Sequence, residues 1–281
     1  MSWLSGAIGF WLAAWAVNVA LARSRLHGAA PVRVLVPALF GASLLVLWEG
    51  VVRHFGVSPV ILPPPSAIAA RFAADTGLLW EDFRQTVLKG ALSGYVIGCG
   101  AAFVTAIAID RSAFLTHGLL PVGNFVAALP IVGIAPILVS WFGFDWQSKA
   151  AVVVVMVFFP VLVNTVQGLR EASAMQKDLM RTYAAGYWQT LFKLRLPAAM
   201  PFVFNGLKIS TTLALIGAIV AEYFGSPTRG MGFRISTGVG SLSIDLVWAE
   251  IAVAALTGSL VYGAVSLAER WVTFWHPSQR G

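Results

Sequence analysis

The stretch Asp178–Pro201 reads DLMRTYAAGYWQTLFKLRLPAAMP, and it differs in character from the sequence on either side. It is basic and amphipathic, whereas Ala150–Leu169 before it is uncharged and Ile209–Ala221 after it is again apolar. Apolar runs of this kind are typical of membrane-spanning helices, so the basic stretch is predicted to be a cytoplasmic loop between two spans. Within the loop we expect a short helix over Met180–Leu194. Leu196-Pro197 should end it, because a proline cannot donate the next backbone hydrogen bond.

The composition of the whole chain supports a membrane protein. Of its 281 residues, 58% are hydrophobic and only 11% are charged, and the mean hydropathy is +0.80. A soluble domain carries about 25% charged residues. The apolar runs are long and unbroken, which indicates helices rather than the ten-residue alternation of a barrel. The net charge of +7 is spread over the loops, which suits membrane topology better than binding to nucleic acid.

The hydropathy pattern predicts seven spans, with the N-terminus outside and the C-terminus in the cytoplasm. The predicted spans are Trp3–Ala22, Val34–Val52, Gly90–Ile109, Ser112–Phe144, Ala150–Leu169, Asn205–Glu222 and Ile251–Ala268. Ser112–Phe144 contains Pro121, Pro130 and Pro136, so we expect it to be kinked or broken. This topology places twelve of the 19 Lys and Arg residues on the cytoplasmic side, in agreement with the positive-inside rule.

Four local features accompany these spans. Trp3–Ala22 has no basic residue before it, and its positive charges follow it, so we interpret it as a retained helix rather than a signal peptide. Ser66 is predicted to cap an amphipathic helix that runs through Ile68, Phe72 and Leu78. Gly90, Gly94 and Gly98 lie on one helix face and should allow close packing, and the Gly/Ser/Thr-rich segment Gly225–Asp245 should fold partly back into the protein.

Motifs for catalysis, cofactor binding or metal binding are absent from the sequence. It contains no G-x-x-x-x-G-K-[ST] motif for binding ATP and no H-E-x-x-H motif for binding zinc. The single cysteine, Cys99, lies in an apolar run and can form neither an internal disulfide nor a thiolate cluster. The sequence therefore predicts a protein that is not an enzyme and needs no cofactor, and any pumping would draw its energy from another subunit.

Polar residues at membrane depth are candidates for a translocation path, because burying them is costly unless they face a cavity or a neighbouring helix. Those selected are Asn124, Asn164, Thr211 and Glu222. The hydroxyls of Ser210, Thr211 and Thr212 are expected to bond back to their own helix, and Glu222 is expected to be solvated at the outer end of its span. The middles of the predicted spans carry no charged residue, which disfavours an ion-coupled carrier.

Several short motifs occur in a distinctive order: ILPPPS at 61–66, ALP at 128–130, AP at 135–136, WFG at 141–143, FFP at 158–160, AEYFG at 221–225 and GMG at 230–232. In this order they resemble the nitrate/sulfonate/taurine-type permeases of ABC importers. The basic stretch is similar to the coupling loop of such permeases, with Asp178 at the acidic position, Ala184 at the glycine position and Leu196-Pro197 at its end. It departs from the pattern because Leu179 and Met180 replace two alanines and Ala184 replaces the glycine.

The resemblance implies an all-α type I permease fold with a six-helix core and one extra N-terminal span. Residues 1–33 would form that extra helix with a basic cytoplasmic loop, and residues 34–281 would form the core, with the coupling loop at about 170–204. It also implies two copies of an ABC ATPase subunit, an extracytoplasmic solute-binding protein and a permease homodimer in the lipid bilayer. The residues expected to couple the permease to the ATPase are Asp178, Tyr183, Ala184, Ala185, Gly186, Trp188, Leu196 and Pro197.

Two segments, Asp178–Ala184 and Val272–Ser278, are similar to the branch that imports pyrimidine thiamine precursors and riboflavin. A heteroaromatic solute is therefore the predicted substrate, and alkanesulfonate, taurine or nitrate is the alternative. An ion-coupled secondary carrier and a membrane scaffold without transport are further alternatives. The carrier would require buried ion-binding carboxylates or an inverted repeat, and we find no repeat in the sequence.

Overall fold

The computed structural model describes residues 2–24, 29–112, 129–225 and 228–275, together with 114, 115, 118, 122, 123, 125 and 126. Their regular structure is entirely helical, as the sequence predicted. The helices are α1 (Ser2–Arg23), α2 (Ala30–Phe55), α3 (Pro65–Ala74), α4 (Thr76–Phe83), α5 (Leu92–Arg111), α6 (Ile131–Phe142), α7 (Trp146–Arg170), α8 (Ala174–Thr182), α9 (Tyr187–Thr190), α10 (Leu196–Gly225), α11 (Met231–Gly240) and α12 (Ile244–Val272). Two π-helical segments, Arg84–Ala91 and Leu191–Arg195, join α4 to α5 and α9 to α10.

Six helical runs in the described part of the chain are long and apolar enough to cross a membrane. They are Trp3–Arg23, Pro31–Phe55, Thr76–Arg111, Trp146–Arg170, Tyr187–Gly225 and Ile244–Val272. Six of the seven predicted spans fall within these runs. In the predicted broken span Ser112–Phe144 the structure has the shorter apolar helix α6, with Pro136 inside it. Pro121 of that span lies outside the described residues.

The chain divides into two compact units, and the first comprises residues 1–77 and 237–250. In this unit α1 packs on α2, where Gly50 faces Ala7 and has no room for a side chain. The predicted cap of α3 is wrong: the cap residue is Pro64, and the helix begins at Pro65. Ser66 instead donates its N–H (2.9 Å) and its hydroxyl (2.7 Å) to the carboxylate of Glu49.

The second unit comprises residues 78–236 and 251–281, and α7 lies at its centre, packed against both α5 and α10. A Cβ atom at Gly94 would lie 2.5 Å from the Cβ of Val153, and one at Gly98 would lie 2.5 Å from a methyl carbon of Val157. Glycine is therefore required for the close approach of α5 to α7, and the predicted glycine face is confirmed. Val153 and Val157 are fully buried in the largest apolar cluster of the unit.

Candidate functional site

The segment 170–204, which we call the coupling segment, begins with a well-capped helix. The Ser173 hydroxyl accepts the N–H of Gln176 (3.2 Å), and the Gln176 side chain accepts the N–H of Ser173 (2.9 Å). This reciprocal capping box satisfies two N–H groups that a helix start leaves free. The helix α8 then ends at Thr182, so the predicted continuous helix over Met180–Leu194 is wrong.

The helix is broken at Ala184, which adopts φ of +51°. This left-handed conformation crowds a Cβ atom and costs roughly 1–2 kcal/mol for residues other than glycine. Two turn hydrogen bonds hold it in place, from the N–H of Ala184 to the carbonyl of Arg181 (2.8 Å) and from the N–H of Ala185 to that of Met180 (3.0 Å). The conformation gives a physical reason for glycine at this position in the pattern that the coupling segment resembles.

The second half of the coupling segment continues directly into a spanning helix. The helical run goes from Tyr187 to Gly225, so the prediction that Leu196-Pro197 breaks the helix is wrong. Just before this pair the hydrogen-bond register changes, because the N–H of Leu196 donates to the carbonyl of Leu191, five residues earlier. Pro197 therefore lies where the backbone hydrogen bonds change from the π-helical to the α-helical pattern. The N–H that proline lacks is not needed there, so the chain stays helical.

A polar cluster anchors the start of this run to two neighbouring helices. We call it the Asp110 cluster, and its members are Asp110, Arg111, Leu169, Tyr187 and Arg195. The Arg195 guanidinium donates two hydrogen bonds to the Asp110 carboxylate, at 2.7 and 2.5 Å. It donates two more to the carbonyl of Leu169, at 3.0 and 2.9 Å. The Tyr187 hydroxyl donates to Asp110 at 2.8 Å. The run is thereby fixed to the C-terminal ends of both α5 and α7.

Aromatic and apolar contacts complete the anchor. Arg111 lies over the rings of Tyr187 and Trp188, with its guanidinium carbon 5.0 and 5.3 Å from the two ring centres. Leu191 is fully buried against an apolar cluster that contains Leu169 and Ala199. Such cation–π and apolar contacts hold the aromatic rings in one orientation. The anchor was not predicted: Asp110 directly follows the predicted span Gly90–Ile109, and Arg195 lies within the basic loop.

The other side of the coupling segment presents large apolar side chains to its surroundings. These side chains belong to Met175 (82% exposed), Leu179 (55%), Tyr183 (75%), Trp188 (50%) and Phe192 (57%). Helix α8 also carries Lys177, Asp178 and Arg181, which would be costly to place in lipid hydrocarbon. An exposed apolar patch outside the hydrocarbon is typical of a protein-docking surface.

Small residues lie between the two halves of this surface. Ala184 is exposed, Ala185 is half-buried, and a Cβ atom at Gly186 would meet no atom within 4 Å. Space around the backbone is therefore open at this turn. Asp178 pairs with Arg181 at 2.9 Å, but both side chains are well exposed and the pair contributes little to stability.

The predicted path residues occupy different environments. The Asn164 side chain donates to the carbonyl of Pro160 (2.8 Å) and accepts from Asn205 (3.0 Å). The Thr211 hydroxyl donates to the carbonyl of Lys208 in its own helix (2.7 Å), as predicted. The same prediction is wrong for Ser210, whose hydroxyl donates to the carbonyl of Val157 in α7 (3.5 Å). Thr211 also borders a cavity of about 380 Å³ with Tyr95 and Thr257. Asn124 lies outside the described residues, and a transport role for the four predicted path residues, including Glu222, stays a prediction.

The expectation that Glu222 is solvated is wrong. Its side chain is 1% exposed, and its Oε2 atom accepts hydrogen bonds from Thr86 (2.6 Å) and from the N–H of Gly232 (3.1 Å). Lys149 is also fully buried and donates to the carbonyls of Phe144 (2.5 Å) and Gly225 (2.9 Å). Neither burial was predicted from the sequence.

The described chain has several candidate spans and an anchored amphipathic segment between two of them, and comparison with known proteins identifies its family. Residues 94–274 match the family described as binding-protein-dependent transport system inner membrane component. The chain belongs to this family of ABC-importer permeases, and it is a multi-pass inner-membrane protein. The matched region contains the coupling segment, the Asp110 cluster and Glu222.

Three relatives illustrate the similarity. A probable ABC transporter permease of Haemophilus influenzae is 31% identical over 83% of this chain and 95% of its own length. The riboflavin transport system permease RibX of Chloroflexus aurantiacus is 32% identical, over 84% and 88%. The formylaminopyrimidine transport permease ThiX of Halalkalibacterium halodurans is 32% identical over 88% of this chain and 98% of its own length.

The C-terminal segment Val272–Ser278 lies only partly within the described residues, because residues 276–278 are outside them.

Proposed function

We propose that the coupling segment docks a separate ATPase subunit, and that two copies of the chain form the permease with two such subunits and an extracytoplasmic binding protein. The supporting observation is the exposed apolar surface of α8 and α9, held on the anchored end of a spanning helix. Helix α8 is nine residues long and carries Met175 and Leu179 four residues apart. A short amphipathic helix of this kind fits a groove on a partner protein.

The Asp110 cluster supports transmission of movement from that groove. Because Arg195 binds both Asp110 and the carbonyl of Leu169, a displacement of Tyr187 acts on α5, α7 and α10 together. A rigid group of helices can then change its angle in the membrane without local unfolding. The roles proposed for Asp178, Tyr183, Ala184–Gly186 and Trp188 are contacts with the ATPase, and the role proposed for Leu196-Pro197 is entry into α10.

The proposed number of copies is based on the single coupling segment of each chain. One chain offers a single coupling segment, and its sequence has no phosphate-binding loop, so two chains would serve a pair of nucleotide-binding subunits. Residues 34–281 would form the permease core, and residues 1–33 would be an addition to it. Purified permease alone should then hydrolyse no ATP.

The proposed substrate is a heteroaromatic solute, such as riboflavin or a pyrimidine precursor of thiamine. Support comes from the two relatives named for such solutes. A second observation agrees with them: two lysines of the spanning helices are already engaged. Lys208 pairs with Glu269 at 2.7 Å, and Lys149 binds two carbonyls. Neither offers a free cation for a sulfonate or nitrate.

Docking is tested by the substitution Ala185→Glu, which places a bulky carboxylate in the turn between α8 and α9. An unpaired charge at a protein contact costs roughly 3–5 kcal/mol, so ATPase association and uptake should both be lost. Trp188→Ala should weaken association less, since it removes an anchor without adding repulsion. Arg23→Gln at the end of α1 makes the same change in net charge and should have little effect. Normal assembly and uptake with Ala185→Glu would show that the turn is not the docking site.

Substrate choice is tested separately, because the binding protein selects the solute. Cells that contain the complete importer should take up labelled riboflavin or formylaminopyrimidine, and unlabelled taurine should not compete. Uptake of taurine or an alkanesulfonate instead would contradict the substrate proposal and leave the docking proposal intact.

A further inference from the structure

The far end of the run Tyr187–Gly225 is joined to a returning segment by a buried polar network. We call Asp82, Thr86, Glu222, Gly230, Met231, Gly232 and Arg234 the Glu222 cluster. Asp82 and Thr86 are fully buried, and Glu222 is 1% exposed. The Thr86 hydroxyl donates to Glu222 (2.6 Å) and accepts the N–H of Met231 (2.8 Å), so it bridges two segments of the chain.

The start of α11 has its free N–H groups satisfied by this network. The N–H groups of Gly230, Met231 and Gly232 donate to Asp82 (2.6 Å), Thr86 (2.8 Å) and Glu222 (3.1 Å), respectively. The first N–H groups of a helix have no partner within the helix, and its positive end favours nearby carboxylates. Arg234, one turn into α11, donates to the second oxygen of Asp82 at 2.7 Å. Side chains from α4, the adjacent π-helical segment and α10 thus fasten the first turn of α11.

Glycine is needed where this turn meets Glu222. Gly230 has φ of +116°, and a Cβ atom there would lie 2.5 Å from both carboxylate oxygens. A Cβ atom at Gly232 would lie 2.8 Å from the Cβ of Glu222. The motif Gly230-Met231-Gly232 therefore permits a close contact between the returning segment and α10 that side chains would prevent.

The same helical run carries the coupling segment at its other end. Tyr187–Gly225 comprises 39 residues, which corresponds to a length of about 58 Å at 1.5 Å per residue. Glu222 lies in its last turn. If the run moves as one body, a displacement at Tyr187 also displaces Glu222 and the segments that are hydrogen-bonded to it.

We propose that Glu222, Asp82 and Thr86 are positioning residues that fasten the segment Gly230–Arg234 to α10 and α4, so that this segment moves with α10 as a closing element at the far end of the solute path. Under the predicted topology this end is extracytoplasmic. The cluster is required for transport but not for docking of the ATPase. The link to transport rests on the proposed function, whereas the fastening itself does not.

The attachment of this segment to α10 and α4 is tested by how fast a cysteine at a buried position within the segment reacts with a maleimide. In a Cys99→Ala background, Met231→Cys puts a thiol at a fully buried position, and it should react slowly with a membrane-impermeant maleimide added from outside. Adding Glu222→Ala removes the acceptor of the hydrogen bonds from Thr86 and Gly232, so labelling should become faster by about tenfold or more. Thr228→Cys, at an exposed position two residues before this segment, should react rapidly with and without Glu222→Ala.

Two further readouts separate this proposal from the proposed function. The Glu222→Ala permease should still co-purify with its ATPase while uptake falls to a small fraction of the unmodified level. Unchanged protection of Met231→Cys together with normal uptake would overturn the proposal. If Glu222→Ala does not insert, Thr86→Val decides the question, because it keeps the side-chain shape and removes the bridging hydroxyl. It should show the same rise in labelling, and continued protection would refute the fastening whatever the ATPase does.

Discussion

The Asp110 cluster and the Glu222 cluster lie at opposite ends of one helical run and fasten it in different ways. In the Asp110 cluster a guanidinium joins a carboxylate to a helix-end carbonyl, and the Arg195 and Asp110 side chains keep 15% and 10% of their exposure. In the Glu222 cluster two fully or almost fully buried carboxylates receive backbone N–H groups. The first arrangement fixes a helix end and leaves an exposed surface beside it, whereas the second buries both of its carboxylates.

This difference predicts different responses to mutation. A buried polar group that loses its partner costs more than one that water can reach. Substitutions in the Glu222 cluster should therefore lower thermal stability and uptake together, while the permease still binds the ATPase. Substitutions in the Asp110 cluster should have smaller effects on stability and should act mainly on coupling to the ATPase.

The largest effect is expected for Gly230→Ala. The new methyl group would meet the Glu222 carboxylate, and alanine would also have to adopt a positive φ. Together these should cost roughly 3–5 kcal/mol, seen as a lower thermal unfolding temperature in detergent and loss of uptake. Gly186→Ala is the matched control at the other end of the run. Gly186 has φ of −70°, and a Cβ atom there would meet no atom within 4 Å, so the stability of the permease should change by less than about 0.5 kcal/mol. If both substitutions changed the thermal unfolding temperature equally, the predicted difference between the two ends of the run would be wrong.

An intermediate effect is expected for Arg195→Ala. It removes the hydrogen bonds that the guanidinium donates to the Asp110 carboxylate and to the carbonyl of Leu169. The hydrogen bond from the Tyr187 hydroxyl to Asp110 remains. Because both side chains retain some contact with solvent, we expect a loss of about 2–3 kcal/mol and weaker ATPase binding.

Arg181→Ala serves as the control for Arg195→Ala, because it breaks the exposed pair with Asp178 and should cost at most about 0.5 kcal/mol. Thermal unfolding compares the two variants, and co-purification of the ATPase is measured for Arg195→Ala against the unmodified permease. ATPase binding that survives Arg195→Ala at full strength would show that docking does not depend on the anchor.

The smallest effect is expected at the turn of the coupling segment. Ala184→Gly relieves the strain of a positive φ but adds freedom to the unfolded chain, so the net gain should be at most about 1 kcal/mol. Ala184→Val, with a branched side chain in the same conformation, should lower stability instead. Thermal unfolding of the two variants measures the difference. The same sign of change for both would mean that the turn does not constrain this residue.

Much of this organisation could be predicted from the sequence, because it depends on local pattern. Hydropathy located the spanning helices, and the spacing of Gly94 and Gly98 indicated the face that packs on α7. The position of the coupling segment followed from its charge and amphipathic character. These properties are carried by neighbouring residues, so no tertiary contact has to be known.

The remaining features depend on partners far away in the chain. Glu222 looks like a solvated residue at the end of a span until Thr86 and Gly232 are brought to it, and Asp82 is 148 residues from Gly230. Leu196-Pro197 looks like a helix end because the π-helical pairing before it is invisible in the residue pattern. The positive φ of Ala184 was likewise hidden, although the glycine of the related pattern pointed to that position.

The central claim, that the coupling segment and not the far end of the run contacts the ATPase, is tested most directly by photo-crosslinking in the assembled importer. A photoreactive phenylalanine analogue is placed at Tyr183, which is 75% exposed, and in a separate sample at the exposed Thr228. We predict that light links the ATPase to the permease from position 183 and not from position 228. Absence of the ATPase adduct from position 183, or an equal yield from position 228, would contradict the account.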